Sequence, residues 1–425
     1  MDVVRFKNAF LIPSEKPGRY IFYAPLRNQL FWLSEDAAQV LRDHLEEGAP
    51  IPERYRLLQD RIDAVLAKEE QGVRPSTMAN RNRLVILLSQ ICNLACPYCF
   101  AHEAHSNEII DRDTLSAAIR YVLAENQSAQ KRFIFLGGGE PTATWELLTW
   151  AVDYIREQSD GQRCKISVVS NGTLLTESRI LWLKEHKVHV GLSFDILPDV
   201  QNRQRPFPDK RKHSYDKVAA ALELLLANGM NPSVRSTITP DCVTRMPEMI
   251  EHLHAHFPGV RGMTFEQVSQ DGLEKTDYYD LFFDSFFKAR ALAERYGIHL
   301  RNSTTTSVLF PKERACSGEL CLTPTGSLVA CHRASSVRDP LYDKFLLGSV
   351  DTAVHIDPER FERVVSFSNE KREACKTCFA FWNCAGSCPN NRTAYSEAQF
   401  EALCRFTQRM IRHELETALD RASKG

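Results

Sequence analysis

Eleven of the thirteen cysteines in this 425-residue chain fall into tight groups. The first group lies in ICNLACPYCF, residues 91–100, where Cys92, Cys96 and Cys99 stand in a C-x3-C-x2-C spacing around Pro97 and Tyr98. Eight more lie near the carboxyl end. Cys316, Cys321 and Cys331 fall within ACSGELCLTPTGSLVACHR, with Gly326 between the last two. Cys375, Cys378, Cys384 and Cys388 fall within CKTCFAFWNCAGSC, and Cys404 follows. Cys164 and Cys242 stand apart and read as ordinary buried or half-buried thiols. In a reducing compartment such groups point to metal or cluster ligation rather than to disulfides. A [4Fe–4S] cube has four iron corners, usually held by four thiolates. Three cysteines leave one iron open, as a catalytic zinc keeps one position vacant for chemistry. The eight later thiols make two complete sets of four; zinc ribbons built on C-x2-C pairs are the competing reading.

The elements that position the triplet alternate strand and helix. Apolar runs at 84–89, 132–137, 165–170, 188–194, 232–238 and 261–268 read as six buried parallel strands. Between and after them, helical patterns cover 113–126, 145–158, 177–186, 214–229, 245–257 and 279–297, the first opening on an acidic cap. Six such units predict an α/β fold with a partial parallel (β/α)6 barrel, whose chemistry belongs at the carboxyl ends of its strands. The triplet follows the first strand, GGGEP (137–141) the second and SNG (170–172) the third, so all three signals fall on one rim.

Bulk properties set the context. The chain is 43% hydrophobic and 25% charged with a formal net charge of −1, which gives no reason to expect a nucleic-acid or anionic-membrane partner. The start, MDVVRFKNAF, lacks a basic end followed by an apolar run, and no apolar segment is long enough to span a bilayer. A cytoplasmic location is expected.

The order C-x3-C-x2-C, then GGEP, then a strand ending in NG, resembles the radical S-adenosylmethionine (SAM) enzymes. The resemblance implies that Cys92, Cys96 and Cys99 hold a [4Fe–4S] cluster whose open iron is chelated by the methionyl group of SAM. It places Tyr98 near the adenine, and Gly138, Gly139, Glu140 and Pro141 at the methionyl ammonium. Ser170 and Asn171 would face the ribose, and Ser193 with Arg205 the methionyl carboxylate. The family commonly reads S-x-D-G-P where this chain reads SFDILP (193–198), so Ile196 replaces the usual glycine.

The C-terminal cysteines resemble the SPASM extension of radical enzymes that modify peptides and proteins, which carries two auxiliary [4Fe–4S] clusters. By that resemblance Cys316, Cys321, Cys331 and Cys388 bind one and Cys375, Cys378, Cys384 and Cys404 the other, giving three [4Fe–4S] clusters in all. The Cys316–Cys321–Cys331 interval is compressed relative to sulfatase-maturing relatives. Those relatives carry an aspartate base directly after the cysteine equivalent to Cys331; here His332 occupies that place and is the catalytic candidate.

The first seventy-five residues read as strands followed by helices at 35–48 and 52–70, a small α+β unit. Their order resembles the winged-helix-like precursor-recognition domain of peptide-modifying enzymes, where a strand edge pairs with a leader peptide; a structural cap is the alternative. The expected domains are thus 1–75, the barrel at 76–305 and a SPASM domain at 306–425, with a polar linker at 69–82. Together these features predict an enzyme that cleaves SAM reductively and abstracts hydrogen from a ribosomally made precursor peptide, forming a thioether, ether or carbon–carbon crosslink or another oxidative modification. A flavodoxin or ferredoxin is the expected electron donor. The alternative activities are formylglycine formation in a sulfatase and small-molecule dehydrogenation.

Overall fold

The computed structural model describes residues 3–71, 73, 81–102, 105–125, 129–308 and 310–423. Most of the expected linker at 69–82 lies outside them. The chain forms two compact units. One comprises 1–76, 303–316 and 369–425; the other comprises 77–302 and 317–368. The C-terminal cysteine-rich stretch therefore contributes to both.

In the first unit, β1 (Val4–Phe6), β2 (Ala9–Pro13), β3 (Arg19–Ala24) and β4 (Gln29–Ser34) form an antiparallel sheet in chain order. Helices Glu35–Glu47 and Arg56–Ala67 follow as expected. The first is capped by the Ser34 hydroxyl, which accepts the Ala37 N–H, and ends at Gly48 with φ 72°. The period of two in AFLI decides the packing. Ala9 and Leu11 join Phe22, Phe31, Leu41, Ile62 and Val65 on the helix-covered face. Phe10, Ile12, Ile21 and Tyr23 point the other way, onto Phe379, Ile411, Leu415 and Leu419. The sheet is thus buried on both faces, the second by the long C-terminal helix Glu397–Ala422 and the cysteine-bearing turn before it.

Tyr23 donates its hydroxyl to Asn383 Oδ1 at 3.1 Å, and burial pushes its pKa from 10.0 up to about 12. A raised phenol favours the neutral native form. Its contribution is fully present below pH 10, the ordinary value, and is lost as pH rises toward 12. The shift corresponds to about 2–3 kcal/mol. Tyr23→Phe should therefore be less stable at pH 8 and lose less stability than the parent between pH 10 and 12, read by thermal melting.

The second unit holds a parallel sheet. β5 (Arg83–Ile86), β6 (Lys131–Phe135), β7 (Cys164–Ser170), β8 (Val188–Ser193), β9 (Ser233–Ile238) and β10 (Gly262–Gln267) are the six expected strands, paired in parallel in that order. A seventh, β11 (His299–Arg301), extends the row beyond β10. On the other side β12 (Leu320–Leu322) pairs in parallel with β5, and β13 (Ser327–Val329), β14 (Leu346–Val350) and β15 (Val354–Ile356) continue antiparallel. The row runs from β11 to β15 without closing, a partial barrel within an α/β fold. Helices Arg112–Ala124, Trp145–Gln158, Glu177–Glu185, Tyr215–Ala227, Met246–His256 and Tyr278–Arg295 connect the strands. The first is capped by Asp111, which accepts the Thr114 N–H at 2.8 Å, rather than by Asp113. Among the described residues no helix is long and apolar enough to cross a membrane.

Candidate active site on the strand rim

Because β5 to β8 run parallel, the loops that leave them share one end of the sheet. The cysteine loop departs after β5 and is closed at its base by an antiparallel bridge between Ser89 and Ile109. Within it the Cys99 N–H donates to the Cys96 carbonyl at 3.1 Å. All three thiols are partly buried. Burial pushes Cys92 to about 11 and Cys96 to about 12 and raises Cys99 as well; Cys92 also feels Glu140 and Cys99, Cys96 feels both other thiols, and Arg205 favours charge on Cys96 and Cys99. Thiolates in such a place need a cationic partner to form.

GGGEP lies directly against this loop. Gly139 N–H donates to the Ser89 carbonyl at 3.0 Å and Glu140 N–H to the Ile91 carbonyl at 2.7 Å. A Cβ on Gly139 would stand 2.0 Å from the Ile91 carbonyl oxygen, and one on Gly138 would stand 2.2 Å from Gln90 Oε1. Only glycine allows backbone to approach backbone this closely. Gly139→Ala should destabilise by about 1–3 kcal/mol through overpacking and displace the cysteine loop, seen as reduced iron retention after reconstitution. Gly138→Ala should be milder, because its neighbour is a side chain that can move.

Glu140 is 3% exposed, and its carboxylate turns inward. It accepts the Thr142 N–H at 3.1 Å and the Thr142 hydroxyl, the Ser170 hydroxyl at 2.7 Å and the Asn171 N–H at 2.7 Å. It therefore joins the second rim loop to the third. Pro141 follows at the start of a short 3-10 turn. Asn171 donates from Nδ2 to Asn93 Oδ1 at 2.9 Å, and Asn93 donates to the Thr173 hydroxyl at 2.8 Å. Thr173 in turn donates to Asn171 Oδ1 at 2.7 Å. Asn93 sits between Cys92 and Leu94, so this ring of amides ties the cysteine loop to the third strand. Arg179 adds a further clamp, donating to the Thr142 carbonyl at 3.1 Å and the Leu174 carbonyl at 3.0 Å. Asn93, Thr173 and Arg179 carry no sequence signal beyond their nearness to the motifs.

Ser193 ends β8 and is half-buried. Arg205 is buried, but its fork engages Asp195, with Nε at 2.8 Å and Nη2 at 3.3 Å. Asp195 is fully buried and also accepts the Ser236 hydroxyl at 3.0 Å, the Thr237 N–H at 3.1 Å and the Tyr98 hydroxyl at 3.3 Å. Burial opposes charge on Arg205, yet Asp195, then Tyr98 and Cys96, hold its pKa above the ordinary guanidinium value. The guanidinium carbon lies 5.6 Å from the Tyr98 ring centre. Arg205 is thus fixed in place by the Asp195 carboxylate. Ile196 keeps the conformation usual for glycine, with φ 63°, in a turn closed by the Leu197 N–H on the Asp195 carbonyl at 2.7 Å. Such a backbone costs about 1–3 kcal/mol in a branched residue, offset by complete burial of the side chain.

His332 is held by a partner that sequence reading missed. Its Nδ1 pairs with Glu319 Oε2 at 2.7 Å, and the same oxygen accepts the His332 N–H at 3.2 Å. Burial works against charge on Glu319, but the His332 contacts and Arg83 hold its pKa below the usual value. The imidazole stands edge-on to Phe100, 5.5 Å between ring centres, directly after Cys99. A carboxylate on Nδ1 fixes the ring and leaves Nε2 for chemistry.

The other cysteines divide between the units: Cys321 and Cys331 belong to the second, and Cys316, Cys375, Cys378, Cys384, Cys388 and Cys404 to the first. In the first unit Cys404 lies within electrostatic reach of Cys384, Cys375 and Cys378 together. Among the described residues no three His, Cys, Asp or Glu side chains converge tightly enough for a single metal ion. Coupled, partly buried thiols in sets of three and four fit a polynuclear cluster, which spreads its thiolates more widely.

Residues 86–254 match the Radical SAM superfamily model. The serine-type anaerobic sulfatase-maturating enzyme of Klebsiella aerogenes is 24% identical over 329 residues, covering 71% of this chain and 78% of that one. The solved structure of native anSMEcpe with bound AdoMet has a TM-score of 0.66 at 21% identity, covering 80% of this chain and 99% of that one. Streptococcus suis SuiB bound to precursor peptide SuiA gives 0.53 at 14% identity, covering 91% and 96%. These two likenesses speak to the fold. With the cysteine motif, the parallel sheet and the matched superfamily in agreement, residues 86–254 form a radical SAM domain, and the protein is an enzyme.

Proposed function

We propose that this enzyme is a peptide or protein maturase acting on a ribosomally made precursor, with an oxidative crosslink as the product class. The observation that carries the reading is the rim itself, where Glu140, Ser170, Asn171 and Asn93 link the three motif-bearing loops. When bound, a cluster with one open iron would supply the electron for reductive cleavage of SAM, the chemistry that initiates hydrogen abstraction from the substrate. Cys92, Cys96 and Cys99 hold that cluster. Gly138 and Gly139 bring backbone close to the methionyl group, Tyr98 borders the adenine, and Ser193 with Arg205 orients the carboxylate end. His332, oriented by Glu319, accepts a substrate proton at Nε2. The eight later cysteines hold two auxiliary clusters that take up or relay electrons, and a flavodoxin or ferredoxin supplies them.

The N-terminal sheet offers its edge strand β1 to a leader peptide. Deleting 1–75 would not test this cleanly, because it strips the partner of Phe379, Ile411 and Leu415. Titration of labelled leader onto the full chain is the better measurement. The experiment for the activity is anaerobic incubation of reconstituted enzyme with SAM, dithionite and a peptide encoded beside its gene. Release of 5′-deoxyadenosine with a loss of two hydrogens from the peptide supports the reading; no 5′-deoxyadenosine would end it. A second reading, formylglycine formation in a sulfatase, is favoured by the likeness to the serine-type anaerobic sulfatase-maturating enzyme of Klebsiella aerogenes. A sulfatase peptide modified in the same assay would select it.

A further inference from the structure

We propose that the four-thiol site of Cys375, Cys378, Cys384 and Cys404 is tuned to hold an electron, and that Lys312, Lys371, Gln408 and the turn 385–387 do the tuning. The inference rests on the cluster reading above and goes beyond it, because it assigns a property to residues that are not ligands. Two lysines lie within electrostatic reach of these thiols. Burial lowers the Lys312 pKa while Cys384 and Cys316 favour its charge, and its own N–H donates to the Trp382 carbonyl at 2.7 Å. Lys371 runs over Gly386, two residues from Cys384, where a Cβ would stand 2.7 Å from its Cδ and 3.7 Å from its Nζ; burial, Arg392 and Arg314 lower its pKa, while Cys375 and Cys384 favour its charge. Neither lysine pairs with a carboxylate among the described residues. Two half-buried cations without counter-ions, set beside a group that gains negative charge on reduction, favour the reduced form.

Hydrogen bonds to sulfur act the same way. Gln408 Nε2 donates to Cys378 Sγ at 3.4 Å. Ala385, Gly386 and Ser387 all have positive φ, at 53°, 86° and 68°. Two of the three are not glycine, so this left-handed run is strained and needs a reason. It folds the chain back over Cys384, with the Ser387 N–H donating to the Cys384 carbonyl at 3.3 Å, and the Gly386 and Ser387 backbone favours charge on the Cys384 thiol. Donors to cluster sulfur and nearby positive charge are the protein's levers on its potential.

The test uses the full-length chain, reconstituted anaerobically, in a background with Cys92, Cys96 and Cys99 replaced by alanine so that the rim does not contribute. The paramagnetic signal of the reduced site is followed in a potentiometric titration and assigned by its loss in Cys375→Ala. Lys312→Met with Lys371→Met should reduce the ratio of reduced to oxidised site at fixed ambient potential about tenfold, which is 59 mV for one electron. Gln408→Glu, nearly isosteric and without the N–H donor, should move it in the same direction at full iron content. Lys371→Arg should restore the parent value. An unchanged midpoint in both the double lysine variant and Gln408→Glu, with iron retained, would overturn the proposal. If Cys375→Ala loses neither iron nor signal, the cluster reading itself fails, a result distinct from failure of the tuning.

Discussion

Cys96→Ala is expected to abolish formation of 5′-deoxyadenosine and to lower bound iron by about four atoms per chain. Arg205 and Asp195 both contribute to the electrostatics of Cys96, and burial pushes its thiol to about 12. A thiol so raised forms its anion only against bound metal, so its loss removes a corner of the cluster and leaves Arg205 facing a gap. Partners one step removed from a metal are already worth 10–100-fold; a ligand should exceed about a hundredfold. Iron analysis, the visible chromophore and chromatographic detection of the nucleoside check it. Cys164→Ala, at the start of β7 and apart from every group, is the control and should keep full iron and turnover. Undiminished nucleoside release from Cys96→Ala would refute the rim assignment.

Glu140→Ala carries the second large effect, and it is one of stability as well as chemistry. Thr142, Ser170 and Asn171 donate to this carboxylate from inside the protein. Removing it strands those donors where no water compensates, at about 1–3 kcal/mol each when isolated. Donors in one network are not additive, so about 3–4 kcal/mol is expected, a drop in melting temperature on the order of 10 °C. Burial raises the Glu140 pKa above its ordinary 4.5 despite its four hydrogen bonds. The folded state therefore binds its proton more tightly than the unfolded chain. The stability tied to that proton is fully present below pH 4.5 and is lost as pH rises through the raised value. Glu140→Gln cannot ionise, so its melting temperature should lack that pH dependence. A pH profile identical to the parent's would show that Glu140 does not titrate in this range.

Strands and helices were legible because their signals are local. Each of the six expected parallel strands lies within three residues of its predicted bounds, since buried β-branched runs need no distant partner to be read. β11 and β12 escaped notice because three residues carry no period. The cap of helix Arg112–Ala124 was misread by two residues because DRDT offers two aspartates, and only the backbone turn selects Asp111.

Cysteine spacing, the glycine run and the strand–helix alternation established by themselves that this chain presents three thiols on the rim of a parallel sheet. Those features depend on neighbours a few residues apart, and covalent geometry transmits them directly. Tertiary structure alone decided that Glu140 bonds inward to Ser170 and Asn171, that Asp195 takes the Arg205 fork, and that Glu319 orients His332. It also decided that the N-terminal sheet is covered on its second face by residues near 411–419. Each of these pairs groups that lie between ten and four hundred residues apart. The burial that makes such contacts strong exists only once the sheet has assembled.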